Sequence, residues 1–87
     1  MTRGFGYNSV VELGGESFHV QTEPCRRRSE DGDEDGLAIE TTIFRGGQVH
    51  YTRRVECATD DDAAVRELVR QQHGAVIAAL RNGQLAR

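Results

Sequence analysis

The sequence predicts an α+β fold in which two antiparallel β-hairpins form one four-stranded sheet, followed by a single C-terminal helix. Two stretches of alternating apolar and polar residues are each interrupted by a glycine pair, Gly14-Gly15 and Gly46-Gly47, the pattern of a tight hairpin turn. The last third of the chain instead repeats its apolar residues every three or four positions, as an amphipathic helix does. A chain of 87 residues is enough for one domain, 1–87, with a small core.

The first hairpin is expected over residues 7–23, with the arms YNSVVEL and ESFHVQTE. Successive side chains of a strand point to opposite faces of the sheet. The second arm therefore divides into a core-facing set, Phe18, Val20 and Thr22, and an outward-facing set, His19, Gln21 and Glu23.

Residues 24–36, PCRRRSEDGDEDG, are expected to form a mobile acidic loop. Pro24 is expected to end the preceding strand, and the residues after it offer no apolar anchor that could offset the entropy of ordering them. Asp31, Asp33 and Asp35 match the first half of a calcium-binding EF loop. The position that should hold a bidentate glutamate is Thr42, and strands rather than helices flank the segment, so no metal site is predicted.

The central hairpin is predicted over Leu37 to Glu56. Alternation assigns these residues to its core face: Leu37, Ile39, Thr41, Ile43, Val49, Tyr51 and Val55. The other face is expected to carry Glu40, Thr42, Phe44, His50, Thr52 and Arg54.

The helix is expected to begin at Thr59, which would cap it with Asp62 as the capping-box partner, and to end at Asn82-Gly83. Its predicted apolar stripe consists of Val65, Leu68, Val69, Gln72, Val76, Ile77 and Leu80. One helix covers about two strands of a sheet, so one face and at least one edge of the sheet should stay open.

Composition argues against several classes of function. The 11 basic residues, all arginine, are outnumbered by 14 acidic ones, and the net charge of -3 disfavours a nonspecific nucleic-acid binder. The chain has neither a signal-like start nor an apolar run of membrane length, so a cytoplasmic protein without membrane contact is expected. Cys25 and Cys57 are isolated in sequence, which favours free thiols in a reducing compartment but leaves a pairing between them open.

A partner-binding patch is predicted on the outward face of the sheet. Phe44 lies there beside His50, Thr52 and Arg54, and His19 and Gln21 extend the patch on the first hairpin. An aromatic residue with an arginine on a polar sheet face is typical of a protein-binding surface. The alternative is that Phe44 folds over the end of the hairpin or packs under the acidic loop.

No motif indicates catalysis or a cofactor. No nucleophile is followed by an adjacent base, and neither glycine pair precedes a helix, as a phosphate-binding loop would require. His19, His50 and Cys57 match no metal-ligand spacing. His73, at the edge of the apolar stripe of the helix, is expected to be a half-buried residue that contributes to packing. The sequence therefore predicts a protein that is not an enzyme.

The segments GYN, VEL-GG-ESFHVQTE, T-x-IF-x-GG-x-V and QQH, between Gly6 and Leu85, resemble a small domain of myxobacterial and related delta-proteobacterial proteins. That family resembles the RomX and RomY type of polarity regulators, which act on the Ras-like GTPase MglA. The resemblance implies a regulator or adaptor in bacterial cell polarity and motility that binds the GTPase and alters its nucleotide exchange or hydrolysis. The acidic insert at 29–36 departs from the family pattern.

Two other functions stay open. A homodimeric structural subunit would bury the open sheet face against a second copy. A nucleic-acid-binding domain would use the arginines of the loop and of the central hairpin, which are Arg26, Arg27, Arg28, Arg53 and Arg54.

Overall fold

The computed structural model describes residues 6–26 and 37–85. Four strands precede one helix: β1 (Tyr7–Leu13), β2 (Glu16–Arg26), β3 (Leu37–Arg45), β4 (Gln48–Cys57) and α1 (Asp62–Arg81). The strands form one sheet in the order β1-β2-β3-β4, and every neighbouring pair is antiparallel. The predicted ββββα architecture is confirmed, and the strand order, which the sequence left open, is that of a simple meander.

Both glycine pairs form the turns that the sequence predicts. The φ angles are 61° at Gly46 and 83° at Gly47, with similar values at Gly14 and Gly15. Two consecutive residues with positive φ are the signature of the type I′ turn, whose twist matches that of the strands it joins. The two hairpins are therefore closed in the same way.

β2 extends farther than expected, through Pro24 and Cys25 to Arg26. β1 reaches along β2 only to the pair of Tyr7 with Thr22, whereas β3 follows β2 to its end. A proline lacks the N–H that a strand donates to a neighbour, and it is tolerated where no neighbour needs that donor. The expectation that Pro24 ends the strand is wrong for this reason, and the rest of the predicted loop, 27–36, lies outside the described residues.

A β-bulge interrupts the pairing of β3 with β4. The ladder is regular from Leu37 opposite Cys57 to Ile43 opposite Tyr51, and it then shifts so that Phe44 lies opposite Val49. One residue of β4, His50, is therefore extra. A bulge of this kind changes the faces to which the side chains beyond it point.

The residue that caps the N-terminus of α1 is Asp61, and not Thr59 as predicted. The Asp61 side chain accepts a hydrogen bond from the Ala64 N–H at 3.0 Å, and the hydroxyl of Thr59 accepts one from the Asp61 N–H. Thr59 therefore bonds to the capping residue Asp61 and is not itself the cap. The helix ends at Asn82 and Gly83, as expected, and Gly83 has a φ of 76°.

The core lies between α1 and one face of the sheet, and the helix packs mainly on β1, β2 and β3. Two apolar clusters form it. The larger cluster contains Val11, Phe18, Val20, Ile43, Val76 and Leu80, and the smaller one contains Ile39, Val65 and Val69. The predicted core faces of β2 and β3 are confirmed at their buried residues. β4 lies beyond the helix, so Val55 is 47% exposed and Leu68, expected in the buried stripe, is 37% exposed.

Candidate protein-binding surface

The sheet face opposite α1, called the open face below, carries a row of side chains that crosses all four strands. The register places Val10 of β1 opposite His19 of β2, His19 opposite Phe44 of β3, and Phe44 opposite Val49 of β4. These four residues are called the apolar row. They lie together because three separate strand pairings bring them to one level of the sheet, near the two glycine turns.

The ends of the apolar row are the most exposed large apolar side chains among the described residues. Val10 is 66% exposed and Val49 is 62% exposed, although both belong to regular strands. Between them, the rings of His19 and Phe44 lie 5.9 Å apart, and His19 Nε2 lies 3.2 Å from Asn8 Oδ1. A shallow depression of about 410 Å³ is lined by Val10, His19 and Phe44 and reaches the turn at Gly46 and Gly47. The centre of the row is held in place, while its ends are available for contact.

His50 does not lie on the open face, and the sequence-based assignment of this residue is wrong. Its ring packs edge-on against Phe18, with the ring centroids 5.6 Å apart, and Phe18 belongs to the larger core cluster. The bulge is the cause, because the extra residue turns His50 towards the helix side and moves Val49 from the predicted core face to the open face.

Polar side chains border the apolar row on one side. The next row consists of Asn8, Gln21, Thr42 and Thr52, which face one another across the four strands. Beyond it, Arg54 lies opposite Glu40, with the charged groups 3.6 Å apart, and Glu23 lies on the other side of Glu40. Glu12 lies on the other side of the row, next to the first turn. The described residues around the row therefore include more carboxylates than arginines. A partner with an apolar centre and a basic rim would complement it.

Five of the six residues predicted for partner binding are therefore together on this face, namely His19, Gln21, Phe44, Thr52 and Arg54. Sequence reasoning missed Val10 and Val49. Val10 had a usable signal, because adjacent residues of one strand point to opposite faces and Val10 and Val11 cannot both be core residues. No sequence signal indicated the position of Val49, because the face to which its side chain points depends on the bulge.

Cys25 lies among the charged residues at the end of the open face. Burial raises the pKa of its thiol, and the carboxylates of Glu40 and Glu23 add to this rise against the opposing effect of Arg54. A thiol of raised pKa is protonated at neutral pH and is a poor nucleophile. Cys57 instead packs against the smaller core cluster on the helix side of the sheet, and these two cysteines form no disulfide.

A chain of buried hydrogen bonds fills the space between α1 and the sheet where the two apolar clusters meet. His73 is only 5% exposed, and its Nε2 lies 2.8 Å from the Ser9 hydroxyl while its Nδ1 lies 2.8 Å from that of Thr22. The Thr22 hydroxyl is 2.8 Å from that of Thr41, which accepts a bond from Gln72 Nε2. His73 is thus a buried residue that holds the helix to the sheet, and it is more deeply buried than the sequence indicated.

The chain of hydrogen bonds suits a neutral imidazole. Gln72 donates to Thr41, which leaves the Thr41 hydrogen for Thr22, the Thr22 hydrogen for His73 Nδ1, and the His73 Nε2 hydrogen for Ser9. Burial lowers the pKa of His73, because the charged form loses its hydration there. This histidine is also shielded from any substrate, so it is not placed for general acid or base catalysis.

Within residues 6–26 and 37–85, no three His, Cys, Asp or Glu side chains come together in a way that could hold a metal ion. No helix of this part of the chain has the length and apolar character needed to cross a membrane. Comparisons with models of known protein families, with curated proteins and with solved structures gave no match to this chain.

Proposed function

We propose that this protein is a non-catalytic, cytoplasmic protein-interaction module that binds its partner through the apolar row on the open face. The observation that carries the proposal is the exposure of Val10 and Val49 at the two ends of a row that also contains Phe44. Protein interfaces have apolar and aromatic centres within polar rims, and the apolar row with its polar border has this composition.

The partner class follows from the charge of the border and from the family resemblance. The carboxylates of Glu12, Glu23 and Glu40 favour a partner surface with basic residues around an apolar centre. The resemblance to polarity regulators names a small Ras-like GTPase as the partner to test first. In this function the module would bind the GTPase and alter its nucleotide exchange or hydrolysis in bacterial polarity or motility.

A nucleic-acid partner is less well supported by the positions of the arginines. Arg53 and Arg54 are neighbours in β4 and so point to opposite faces of the sheet, and Arg54 is paired with Glu40. Of the other three arginines considered for this role, Arg27 and Arg28 lie outside the described residues. Among the residues that the structure describes, the arginines are therefore not gathered on the open face in the way that phosphate binding needs.

The test uses purified Ras-like GTPase of the same cell, loaded with GDP or with a nonhydrolysable GTP analogue. Isothermal titration should show binding to the intact module in one nucleotide state. The double substitution Phe44→Ala with Val49→Ser should weaken this binding by about tenfold or more, since central interface residues contribute most of the affinity. The matched control is Leu68→Ser, which changes an exposed apolar residue on the opposite side of the molecule.

Two results would contradict the proposal in different ways. Absence of binding in both nucleotide states would remove the GTPase as partner. Binding that survives Phe44→Ala with Val49→Ser, or that is lost equally in Leu68→Ser, would remove the open face as its site.

A further inference from the structure

The outer side of β1 is a regular strand edge. β1 is the first strand of the sheet, and its inner side pairs with β2 over its whole length, from Tyr7 to Leu13, without a bulge. Within residues 6–26 and 37–85, no strand pairs with the outer side, and none of the main-chain bonds formed by turns and caps involves β1. A strand edge of this kind is a template for a further strand.

The first turn determines which main-chain groups of β1 point outwards. A two-residue hairpin turn is closed by main-chain hydrogen bonds between its flanking residues, which are Leu13 and Glu16 here. Hydrogen-bonded and non-hydrogen-bonded pairs alternate along an antiparallel ladder, so every second residue counted back from Leu13 bonds to β2. The N–H and C=O groups that point to the outer edge are therefore those of Asn8, Val10 and Glu12.

β1 lacks the features that protect a strand edge from pairing. Proteins protect such edges with charged side chains, proline or bulges. β4, at the other end of the sheet, has a bulge and the charged residues Arg53, Arg54 and Glu56. β1 has neither proline nor a bulge, its one charged residue is Glu12, and its central residue Val10 is 66% exposed. Of the two outer strands, β1 is the one suited to receive another strand.

We propose that the partner adds an extended strand antiparallel to β1 and thereby lengthens the apolar row beyond Val10. This inference rests on the proposed function and gives it a mode of binding, because Val10 is the end of the row at which the sheet stops. The partner residue opposite Val10 forms a hydrogen-bonded pair with it and places its own side chain on the open face. Main-chain bonds then supply affinity, and the neighbouring side chains supply specificity.

The open face determines part of the chemistry of the added strand. The residue opposite Val10 is expected to be apolar, and the residue opposite Glu12 is expected to be basic, since opposite charges stabilise a cross-strand pair. The Glu12 carboxylate accepts a hydrogen bond from the Ser17 hydroxyl at 3.2 Å. A carboxylate has several acceptor sites, so this bond leaves room for a cation. A basic residue here agrees with the basic rim inferred for the partner.

The helix side determines the rest. His73 bonds to Ser9 of β1, and Ile77 lies one turn further along this side of α1, where it packs partly buried against the larger core cluster. Arg81 follows one turn later, in the last turn of the helix. Apolar residues on the helix side of the added strand extend the packing around Ile77. An acidic residue at the N-terminal end of that strand, opposite Leu13, lies near Arg81 and complements its charge.

A second copy of this chain is a poorer occupant of the edge. A two-fold axis at Val10 places Glu12 opposite Asn8 of the second copy, so neither carboxylate meets a cation. Sedimentation equilibrium at micromolar concentration should therefore show a monomer. In amide exchange of this monomer, followed by NMR, the Val10 N–H should exchange quickly and the Val11 N–H, which bonds to β2, should be protected. A dimer, or a Val10 N–H as protected as that of Val11, overturns the proposal.

Two substitutions at one position test the edge in the titration with the GTPase. Glu12→Pro and Glu12→Ala both remove the carboxylate and its bond to Ser17, but only proline also removes the outward N–H and places a ring at the edge. β2 does not use that N–H, so the hairpin tolerates the proline. Affinity should be about tenfold or more lower in Glu12→Pro than in Glu12→Ala. Equal affinities in two folded variants overturn the edge contact, whereas the double substitution Phe44→Ala with Val49→Ser tests the open face separately.

A peptide probe tests the edge without the GTPase. The end-blocked peptide Glu-Arg-Val-Val-Val-Thr-Glu has the expected pattern, with its arginine opposite Glu12 and its central valine opposite Val10. Titration of the full chain with this peptide should slow exchange of the Val10 N–H, and Glu12→Pro should prevent binding.

N-methylated forms of the peptide are the matched controls. A methyl group on the central valine nitrogen removes the N–H that bonds to the Val10 carbonyl and should abolish binding. The same group on the preceding valine replaces an N–H that points away from β1 and should leave binding intact. Equal effects of the two methyl groups, or no binding of the unmethylated peptide at millimolar concentration, overturn the proposal.

Discussion

Val49 lies opposite Phe44 across the β3–β4 ladder, on the face that α1 leaves uncovered, although simple alternation along β4 would turn the two side chains to opposite sides. The extra residue, His50, causes the difference. It joins the core-side ring of Phe18 and brings Val49 into the apolar row. One inserted residue thus exchanges a histidine for a valine on the surface that we propose binds a protein.

The substitution His50→Ala tests this exchange. Loss of the edge-on contact with Phe18 should lower the free energy of unfolding by about 0.5–1.5 kcal/mol, measured by urea denaturation. Affinity for the GTPase should stay unchanged, because His50 faces the helix side. Phe44→Ala should show the reverse pattern, with weaker binding and a smaller loss of stability. A loss of affinity in His50→Ala would mean that this ring belongs to the binding surface after all.

The pH dependence of stability should report on His73. Burial lowers the pKa of His73 in the folded protein below its ordinary value of 6.5, so on acidification the unfolded chain takes up a proton before the folded chain does. The free energy of unfolding should therefore fall as the pH drops below 6.5, by at most about 1.4 kcal/mol per pH unit from this residue. The groups that contact His73 are the hydroxyls of Ser9 and Thr22 and the ring of Tyr7.

The matched comparison for this prediction is His73→Gln, which keeps a polar side chain but does not titrate. Urea denaturation between pH 7.5 and 5.5 should give a flatter profile for this variant than for the intact protein. Identical slopes for the intact protein and His73→Gln would contradict a neutral His73 in the folded state.

A double-mutant cycle should measure the coupling between Thr22 and Thr41. Thr22→Val and Thr41→Val each keep the shape of the side chain but leave a buried hydroxyl without its partner, at a cost of about 1–3 kcal/mol in the free energy of unfolding. The double variant removes both hydroxyls, so its cost should be smaller than the sum of the two single costs by at least about 0.5 kcal/mol. Strict additivity would show that the two hydroxyls do not depend on each other.

The start of α1 offers a direct comparison of the observed and predicted caps. Asp61→Ala removes the acceptor for the Ala64 N–H and should reduce stability by about 0.5–2 kcal/mol in thermal or urea unfolding. Thr59→Ala removes only the bond to the Asp61 N–H and should cost less. The opposite order would make Thr59 the effective capping residue.

Much of the fold could be predicted from the sequence because its signals are local. The glycine pairs determine the two hairpin turns through their positive φ angles, and the alternation along β2 identifies Phe18, Val20 and Thr22 as core residues. The three- and four-residue spacing identifies the helix, and Asn82-Gly83 marks its end. Each of these features depends on residues that lie close together in the sequence, so it can be predicted from the sequence alone.

Only the tertiary structure decided the features that depend on distant partners. No pattern in the sequence predicts the bulge at His50, because a residue is extra only relative to the strand that β4 pairs with, β3. The burial of His73 depends on hydroxyls 64 and 51 positions away in the chain, at Ser9 and Thr22. The position of α1 over β1, β2 and β3 leaves Val55 of β4 and Leu68 of the helix partly exposed. The sequence by itself determined which segments are strands and helix, whereas packing between those segments decided which side chains remain on the surface.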